Sequence, residues 1–185
     1  MGWGLVPSWA KDPSIGNSLA NARSESVHEK PSFRSSFTKG RRCLVPADVY
    51  YEWQPVPAGA PRGAKKQPYA IGMRDGAPFM FAALWEFWRP RPTDGTPAGE
   101  PIVSCALLTT GPNAVMAPIH DRMPVILPPG AWETWLDPRT PVDALRALLI
   151  PYDAQAMRAW PVSTRVNSPR NDDASCVASM TAGEA

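Results

Sequence analysis

The sequence predicts an α+β protein: a single domain around a curved, mainly antiparallel β-sheet, with short helices and many proline-rich loops. Strand-length runs rich in aromatic and β-branched residues dominate the middle of the chain. The 23 prolines among 185 residues are scattered along the chain, which favours many loops and disfavours long helices in the first half. An apolar content of 44% with 19% charged residues is typical of a globular protein with a hydrophobic core.

Five segments carry the strand prediction. Residues 43–53 form the first, and residues 102–110 and 123–127 are two further apolar runs. Residues 67–74 and 78–85 flank Asp75-Gly76, which predicts a β-hairpin because both residues tolerate positive φ.

Short helices and loops fill the rest. One helical turn is expected at residues 112–116, and helices with an apolar face at 129–136 and 141–149. Proline- and glycine-rich stretches near residues 55–66 and 88–101 predict exposed loops. The domain is expected to span residues 1–174, followed by a disordered tail over 175–185.

Composition excludes several classes of protein. No run of eighteen apolar residues exists, so no membrane span is predicted, and the opening residues do not resemble a signal peptide; a cytoplasmic location is the expectation. Three cysteines at wide spacing and two histidines argue against a disulfide framework and a metal site. The usual nucleotide-binding loops are absent, so we expect no nucleotide and no other cofactor.

Charge is unevenly distributed. Residues 1–66 hold ten Lys/Arg and five Asp/Glu, a net +5, whereas residues 67–185 hold nine and twelve, a net −3. A basic first third can attract a polyanion, although folded proteins often vary this much and a solvated surface is the simpler interpretation.

Two polar residues in apolar surroundings are candidates for proton transfer. Glu52 lies between large aromatic residues, and strand alternation places Tyr50, Glu52 and Gln54 on one face. Partial burial would raise the pKa of such a carboxyl group and suit acid–base work, whereas a solvent-facing strand glutamate is the alternative. His120 lies beside Asp121 and Arg122, between two prolines, and is either a positioned proton-transfer group or a structural histidine.

The first third offers weaker candidates for ligand binding. Asn21 can orient a small ligand group and Arg23 can bind a phosphate, although a surface loop explains both residues as well. Trp9 can stack on a nucleobase or belong to the core, and a core position is the stronger expectation for Trp3.

Eight blocks of sequence together closely resemble the SOS response-associated peptidase family, whose members are also described as abasic-site processing proteins. The blocks occur in the family's order and cover nearly the whole chain. They are WGLVPSWAKD (3–12), NARSES (21–26), KPSFR (30–34), RRCLVPADVYYEW (41–53), KQPYAI (66–71), LLTT (107–110), APIHDRMPVIL (117–127) and VSTRVNSPRND (162–172).

The resemblance implies a specific chemistry on single-stranded DNA. Family members expose an N-terminal cysteine whose α-amine attacks the aldehyde of an abasic sugar, and whose thiol then closes a thiazolidine ring to give a DNA–protein crosslink. The peptidase name implies self-removal of a short leader in some members. We therefore expect peptidase, hydrolase or lyase-like activity at the level of the family, with abasic DNA as partner.

Individual roles follow from matching positions. The resemblance implies that Glu52 manages protons at the amine, that His120 assists ring opening and crosslink reversal, and that Asn21 orients the N-terminal residue. It assigns DNA binding to four residues: Trp9, Arg23, Thr109 and Arg122.

The printed chain departs from the family at its first residues. It opens Met1-Gly2-Trp3-Gly4, without the family's N-terminal segment and its cysteine, so we expect the chain as printed to be inactive in crosslinking. An internal cysteine cannot substitute, because its thiol has no free α-amine beside it. Three explanations of the missing segment compete. The start codon was assigned at an internal methionine, the gene product is truncated, or the sequence was cut at this point.

Three other functions compete with abasic-site processing. A non-catalytic single-stranded DNA binder would use Trp9, Arg23 and Arg122 without a nucleophile. A hydrolase would use Glu52 and His120 on another substrate, and an interaction scaffold would use the proline-rich loops. Oligomeric state and preferred DNA structure are not predicted.

Overall fold

The computed structural model describes residues 1–90 and 99–180. Two compact units emerge from the packing of the chain. The first comprises Met1–Pro46, Met80–Thr110 and Pro124–Pro151, and the second Ala47–Phe79, Gly111–Met123 and Tyr152–Ala185.

The regular elements are short, as the proline content predicts. Ten strands are described: β1 (Gly2–Trp3), β2 (Asn21–Arg23), β3 (Arg42–Ala47), β4 (Val49–Gln54), β5 (Gln67–Met73), β6 (Phe79–Trp88), β7 (Ile102–Thr110), β8 (Met123–Pro124), β9 (Ile126–Leu127) and β10 (Met157–Pro161). The α-helices within the described residues are α1 (Arg34–Thr38), α2 (Trp132–Leu136) and α3 (Val142–Ala147). Short 3-10 helices cover Pro13–Ser18, Pro129–Ala131, Ala154–Ala156, Thr164–Asn167 and Ala174–Cys176.

The larger sheet belongs to the first unit. Its strand order is β1-β7-β6-β3, with β2 and β8 also on β7 and β9 on β6. The β6–β7 pair is antiparallel, whereas β1 and β2 run parallel to β7. One face of this sheet packs on the helices, and the shared core includes Phe33, Phe37, Leu84, Leu108 and Trp135.

The smaller sheet belongs to the second unit and is antiparallel throughout. Its strand order is β10-β5-β4, so the central strand β5 is hydrogen-bonded along both edges. Glu52 on β4 lies opposite Tyr69 on β5, and Gln54 lies opposite Gln67. This register determines which side chains surround the candidate carboxylate.

The α+β class predicted from the sequence is confirmed, but the strands form two sheets rather than one. The predicted strand over residues 43–53 breaks at Asp48 into β3 and β4, which belong to different sheets. The strand predicted at residues 102–110 matches β7.

The predicted hairpin at Asp75-Gly76 is wrong. The turn itself forms: Gly76 has a φ of 74°, and the Asp75 carboxylate accepts the Ala77 N–H at 2.9 Å. However, β5 is already bonded to β4 and β10, so it has no free edge for β6. The turn therefore connects two sheets instead of closing a hairpin.

Helix predictions were correct where an apolar stripe was present. The predicted helices at residues 129–136 and 141–149 contain α2 and α3. Residues 112–116 form a turn stabilised by Asn113, whose side chain accepts the N–H groups of Val115 and Met116. α1 was missed because Phe37 is its only apolar residue, so it shows no apolar stripe at helical spacing.

Three surface predictions have different outcomes. Trp3, expected in the core, is 59% exposed, because β1 is a two-residue strand at the edge of its sheet. Residues 55–66 contain no helix or strand and are mostly exposed. Most of the loop expected near residues 88–101 lies outside the described residues.

Residues 175–180, expected to belong to a disordered tail, contact the rest of the second unit. Cys176 is buried, the Trp160 indole donates to the Val177 carbonyl at 2.8 Å, and Ser179 forms a β-bridge with Val162. Residues 175–180 are thus attached to the second unit, and residues 181–185 lie outside the described part of the chain. Among the described residues, no helix has the length and apolar character needed to cross a membrane.

Candidate functional site

Glu52 lies on β4 in the second unit, on the same strand face as Tyr50 and Gln54. Tyr50 packs edge-on against Phe79, with 6.3 Å between ring centroids. The Tyr69 hydroxyl, on the neighbouring strand, donates to Gln54 Oε1 at 3.4 Å. The carboxylate therefore occupies a half-buried face with aromatic and amide neighbours.

The electrostatic environment of Glu52 favours proton transfer. Burial raises the pKa of the Glu52 carboxyl group, and the nearby His120 and the Trp53 N–H oppose that rise by stabilising the carboxylate. Asp121 raises this pKa further, whereas Lys66 lowers it. Burial also raises the pKa of Tyr50, with a smaller contribution from the negative charge of Glu52, so Tyr50 remains a neutral hydroxyl.

His120 is positioned by the turn that precedes it. Its backbone N–H donates to the Met116 carbonyl at 2.9 Å, while Met116 and Ile119 are buried and anchor the turn. At the beginning of the turn, the Asn113 amide donates to the Tyr152 carbonyl at 2.8 Å. Asn113 therefore ties the start of the turn to Tyr152, and buried side chains anchor its later part.

Local contacts assign the tautomer of His120. The Arg122 backbone N–H lies 3.0 Å from Nδ1. Two acceptors lie slightly farther from Nδ1, the Asp121 carboxylate at 3.1 Å and the Arg122 carbonyl at 3.3 Å. A backbone N–H can only donate, and Asp121 is 90% exposed, so we assign Nδ1 as the acceptor of the Arg122 N–H. The neutral ring then carries its proton on Nε2.

A second group of predicted residues lies together in the first unit. The parallel pairing of β2 with β7 places Asn21 beside Leu107 and Arg23 beside Thr109. Ala22, between them, is fully buried, whereas Asn21 and Arg23 are exposed. Arg23 is exposed, and within residues 1–90 and 99–180 its guanidinium forms no ion pair with a carboxylate.

Trp9 presents an aromatic surface in the same unit. It is 49% exposed, and its indole N–H donates to the Pro31 carbonyl at 3.3 Å, which fixes the ring orientation. A cavity of about 440 Å³ adjoins the ring and is lined by Trp9, Ala10, Lys11, Asp12, Ser14 and Ile15. An exposed ring beside a lysine suits a stacked, negatively charged ligand.

The cysteines have the properties of structural residues. Cys105 is buried and Cys43 is half-buried. Burial raises the pKa of the Cys43 thiol to about 11, with a further contribution from Cys105, which opposes formation of a nucleophilic thiolate. Among the described residues, no group of three or more His, Cys, Asp or Glu side chains is arranged to hold a metal ion.

Comparison with known proteins identifies the family. The family model described as SOS response associated peptidase (SRAP) matches residues 1–169. The chain belongs to the SRAP family. Bacillus subtilis "Abasic site processing protein YoqW" is 45% identical over 171 residues, covering 92% of this chain and 71% of its relative.

More distant members of the SRAP family agree with this assignment. Gallus gallus "Abasic site processing protein HMCES" is 34% identical over 99% of this chain and 57% of the relative. A solved structure of a Bacteroides thetaiotaomicron protein superimposes with a TM-score of 0.83 at 30% identity, covering 97% of this chain and 75% of that one.

The structure brings some of the predicted residues together. Glu52 and His120 interact in the second unit, where Arg122 also contacts the imidazole, and Asn21, Arg23 and Thr109 are neighbours in the first. Strand alternation predicted from the sequence that Tyr50 and Gln54 share the strand face of Glu52. Sequence reasoning missed Lys66, because its approach to Glu52 depends on the course of the loop before β5.

Proposed function

We propose that this protein processes abasic sites in single-stranded DNA, with Glu52 and His120 performing the proton transfers. The observation that carries the proposal is the half-buried carboxyl group of Glu52, whose pKa is raised by burial and which lies near a histidine held by its backbone contacts. The names of the relatives that act on abasic sites supply the substrate class.

The chemistry of the substrate matches this pair of residues. The open-chain abasic sugar presents an aldehyde, and condensation with a primary amine forms an imine and releases one water molecule. Proton removal from the attacking amine and protonation of the departing oxygen require a base and an acid close together. Glu52 is suited to proton transfer at the amine, and His120 Nε2–H to donating a proton at the sugar.

Crosslinking requires a cysteine with a free α-amine. Its amine forms the imine, and its thiol then adds across the C=N bond to close a thiazolidine, so that the whole reaction releases one water molecule. The internal cysteines cannot perform this step. We therefore assign crosslinking to a form of the protein that carries an N-terminal cysteine, as the family resemblance implies.

DNA binding is proposed for the exposed polar residues of the first unit. Arg23, without an acidic partner, would bind a phosphate, and Thr109 lies beside it in register. Trp9 would stack on a base. The exposed guanidinium of Arg23 also supports the alternative function, in which the protein binds single-stranded DNA without covalent chemistry.

The experiment compares two forms of the protein on abasic and intact single-stranded DNA. One form carries an N-terminal cysteine and the other begins Met1-Gly2 as printed, and products are separated by denaturing electrophoresis. A covalent band with the cysteine form on abasic DNA alone supports the proposal. Salt-sensitive binding by both forms with no covalent band would instead identify the binder, and turnover without DNA would identify a hydrolase.

A further inference from the structure

Gln54 connects the strand that carries Glu52 to the turn that carries His120. Its amide Nε2 donates to the Pro118 carbonyl at 3.0 Å, and Pro118 lies two residues before His120. Both ends of this hydrogen bond belong to the second unit. The bond therefore links the strand that carries Glu52 directly to the turn that carries His120.

The amide of Gln54 is itself oriented. The Tyr69 hydroxyl donates to Gln54 Oε1 at 3.4 Å, which leaves Nε2 as the end of the amide that faces Pro118. Tyr69 is the cross-strand partner of Glu52. A chain of contacts therefore runs from β5 through the Gln54 amide to the turn before His120.

We propose that Gln54 is a positioning residue that holds the His120 turn at its working distance from Glu52. The proposal rests on the proposed function, in which these two residues share the proton transfers. Other contacts fix the start of the turn and the imidazole tautomer, but they join the turn to its own neighbours and to Tyr152. Gln54 joins the turn to the strand of the carboxylate.

The geometry of β5 provides a matched control. Gln67 lies directly opposite Gln54 in the β4–β5 register, and its amide donates to the Val162 carbonyl, also at 3.0 Å. Gln54→Met removes one amide-to-carbonyl hydrogen bond, and Gln67→Met removes two, because the Gln67 amide also donates to the Pro68 carbonyl at 2.9 Å. Only Gln54→Met touches the His120 turn.

The first measurement observes His120 directly. The chain has two histidines, so a long-range proton–nitrogen spectrum of the full chain contains two imidazoles, which His28→Asn assigns. We expect the Nε2–H tautomer for His120 in wild type and in Gln67→Met. In Gln54→Met we expect displaced His120 signals that report a second ring position or tautomer, whereas Gln54→Lys, which keeps a donor on a long side chain, should retain the wild-type pattern.

The second measurement is the rate of crosslink reversal in the form with an N-terminal cysteine. Loss of one hydrogen bond that positions a catalytic group predicts a fall of about three- to tenfold in Gln54→Met, with Gln54→Lys near wild type. Unchanged His120 signals in Gln54→Met, equal effects in Gln67→Met, or no recovery in Gln54→Lys would each overturn the proposal. If wild type shows no reaction with abasic DNA, the proposed function fails, while the spectra still decide whether Gln54 positions His120.

Discussion

At the scale of single residues, the pairing of Glu52 with His120 gives the site its chemical character. A strand glutamate facing water would remain ionised, but burial favours the protonated form of Glu52 and the histidine favours the ionised form. Burial has the larger effect, and the net rise in pKa brings the carboxyl group closer to the range in which it can both accept and donate a proton.

Substitution of Glu52 by glutamine tests whether this carboxyl group takes part in catalysis. General acid–base residues contribute about 10²–10⁴-fold to rate, so we expect Glu52→Gln to slow crosslink formation by at least about 10²-fold in single-turnover assays. Glu133→Gln, at an exposed position on α2, is the control and should leave the rate unchanged. A wild-type rate in Glu52→Gln would remove Glu52 from the mechanism.

The same substitution predicts a pH dependence of stability. Because the pKa of Glu52 is raised in the folded state, the stabilisation that this group contributes is complete below its ordinary pKa of 4.5 and is lost as pH rises through the folded value. Glu52→Gln should therefore gain stability relative to wild type as the pH increases above about 4.5. Urea unfolding from about pH 4 to about pH 8 measures this difference, and a constant difference across that range would contradict the burial of the carboxyl group.

His120→Ala should affect the two directions of the reaction unequally. If His120 Nε2–H serves the sugar, its loss should slow crosslink reversal by about 10²-fold and formation by less. His28→Ala removes the only other imidazole of the chain, which lies in the first unit, and should change neither rate. If His120→Ala slowed crosslink formation and reversal equally, His120 would not act specifically at the sugar and would instead have a positioning role.

At the scale of elements, Arg42 stabilises the ends of two helices. Its guanidinium donates to the carbonyls of Phe37 in α1, Trp135 in α2 and Asp137 just after α2, at 2.8, 2.6 and 2.6 Å. These carbonyls lie at helix C-termini, where no intrahelical donor is available, and the side chain also lies over the Trp135 ring at 5.7 Å. Burial lowers the pKa of Arg42, and Asp137 partly compensates.

Arg42→Met should destabilise the first unit because it leaves buried carbonyls without donors. We expect a loss of about 3 kcal/mol, or a melting temperature lower by roughly 6–12 °C for a chain of this length. Arg34→Met changes an exposed arginine at the start of α1 and should shift the melting temperature far less. Calorimetry of both variants tests the assignment, and equal shifts would refute it.

The sequence predicted elements where a local pattern was sufficient. The nine-residue run of β7, apolar or β-branched except at Ser104, and the apolar stripes of α2 and α3 are visible in the sequence. Partner choice is not local: the Asp75-Gly76 turn formed as expected, yet competition from β10 for the edge of β5 decided that no hairpin follows. The five-residue β10 is itself too short to predict on its own.

The residues of the candidate site could be predicted from the sequence, but the long-range contacts between them could not. Glu52 and His120 stood out because polar residues occur in apolar surroundings, and the family blocks gave them roles. Gln54 was placed on the face of Glu52 by strand alternation, but its hydrogen bond to Pro118 depends on a turn more than sixty residues later in the chain. Long-range contacts of this kind follow from the fold rather than from any single segment.

At the scale of the whole molecule, the excess of positive charge in residues 1–66 should make DNA binding sensitive to salt. Each phosphate contact with a single strand adds about −0.7 to the slope of log K against log salt. Arg23→Gln should therefore reduce the magnitude of the slope by about 0.7, measured by fluorescence anisotropy. Arg139→Gln changes an exposed arginine already paired with Asp137 at 2.8 Å and should leave the slope unchanged, so equal slopes in all three proteins would exclude Arg23 as a phosphate contact.

This member of the SRAP family carries a half-buried carboxyl group near a histidine in one unit and exposed cationic and aromatic residues in the other. The most direct test of its proposed action is the intact mass of the product formed between the N-terminal cysteine form and single-stranded DNA with one abasic site. We predict a single adduct whose mass equals protein plus DNA minus one water molecule, formed much more slowly in Glu52→Gln. No adduct, or an adduct formed equally fast in Glu52→Gln, would contradict the account.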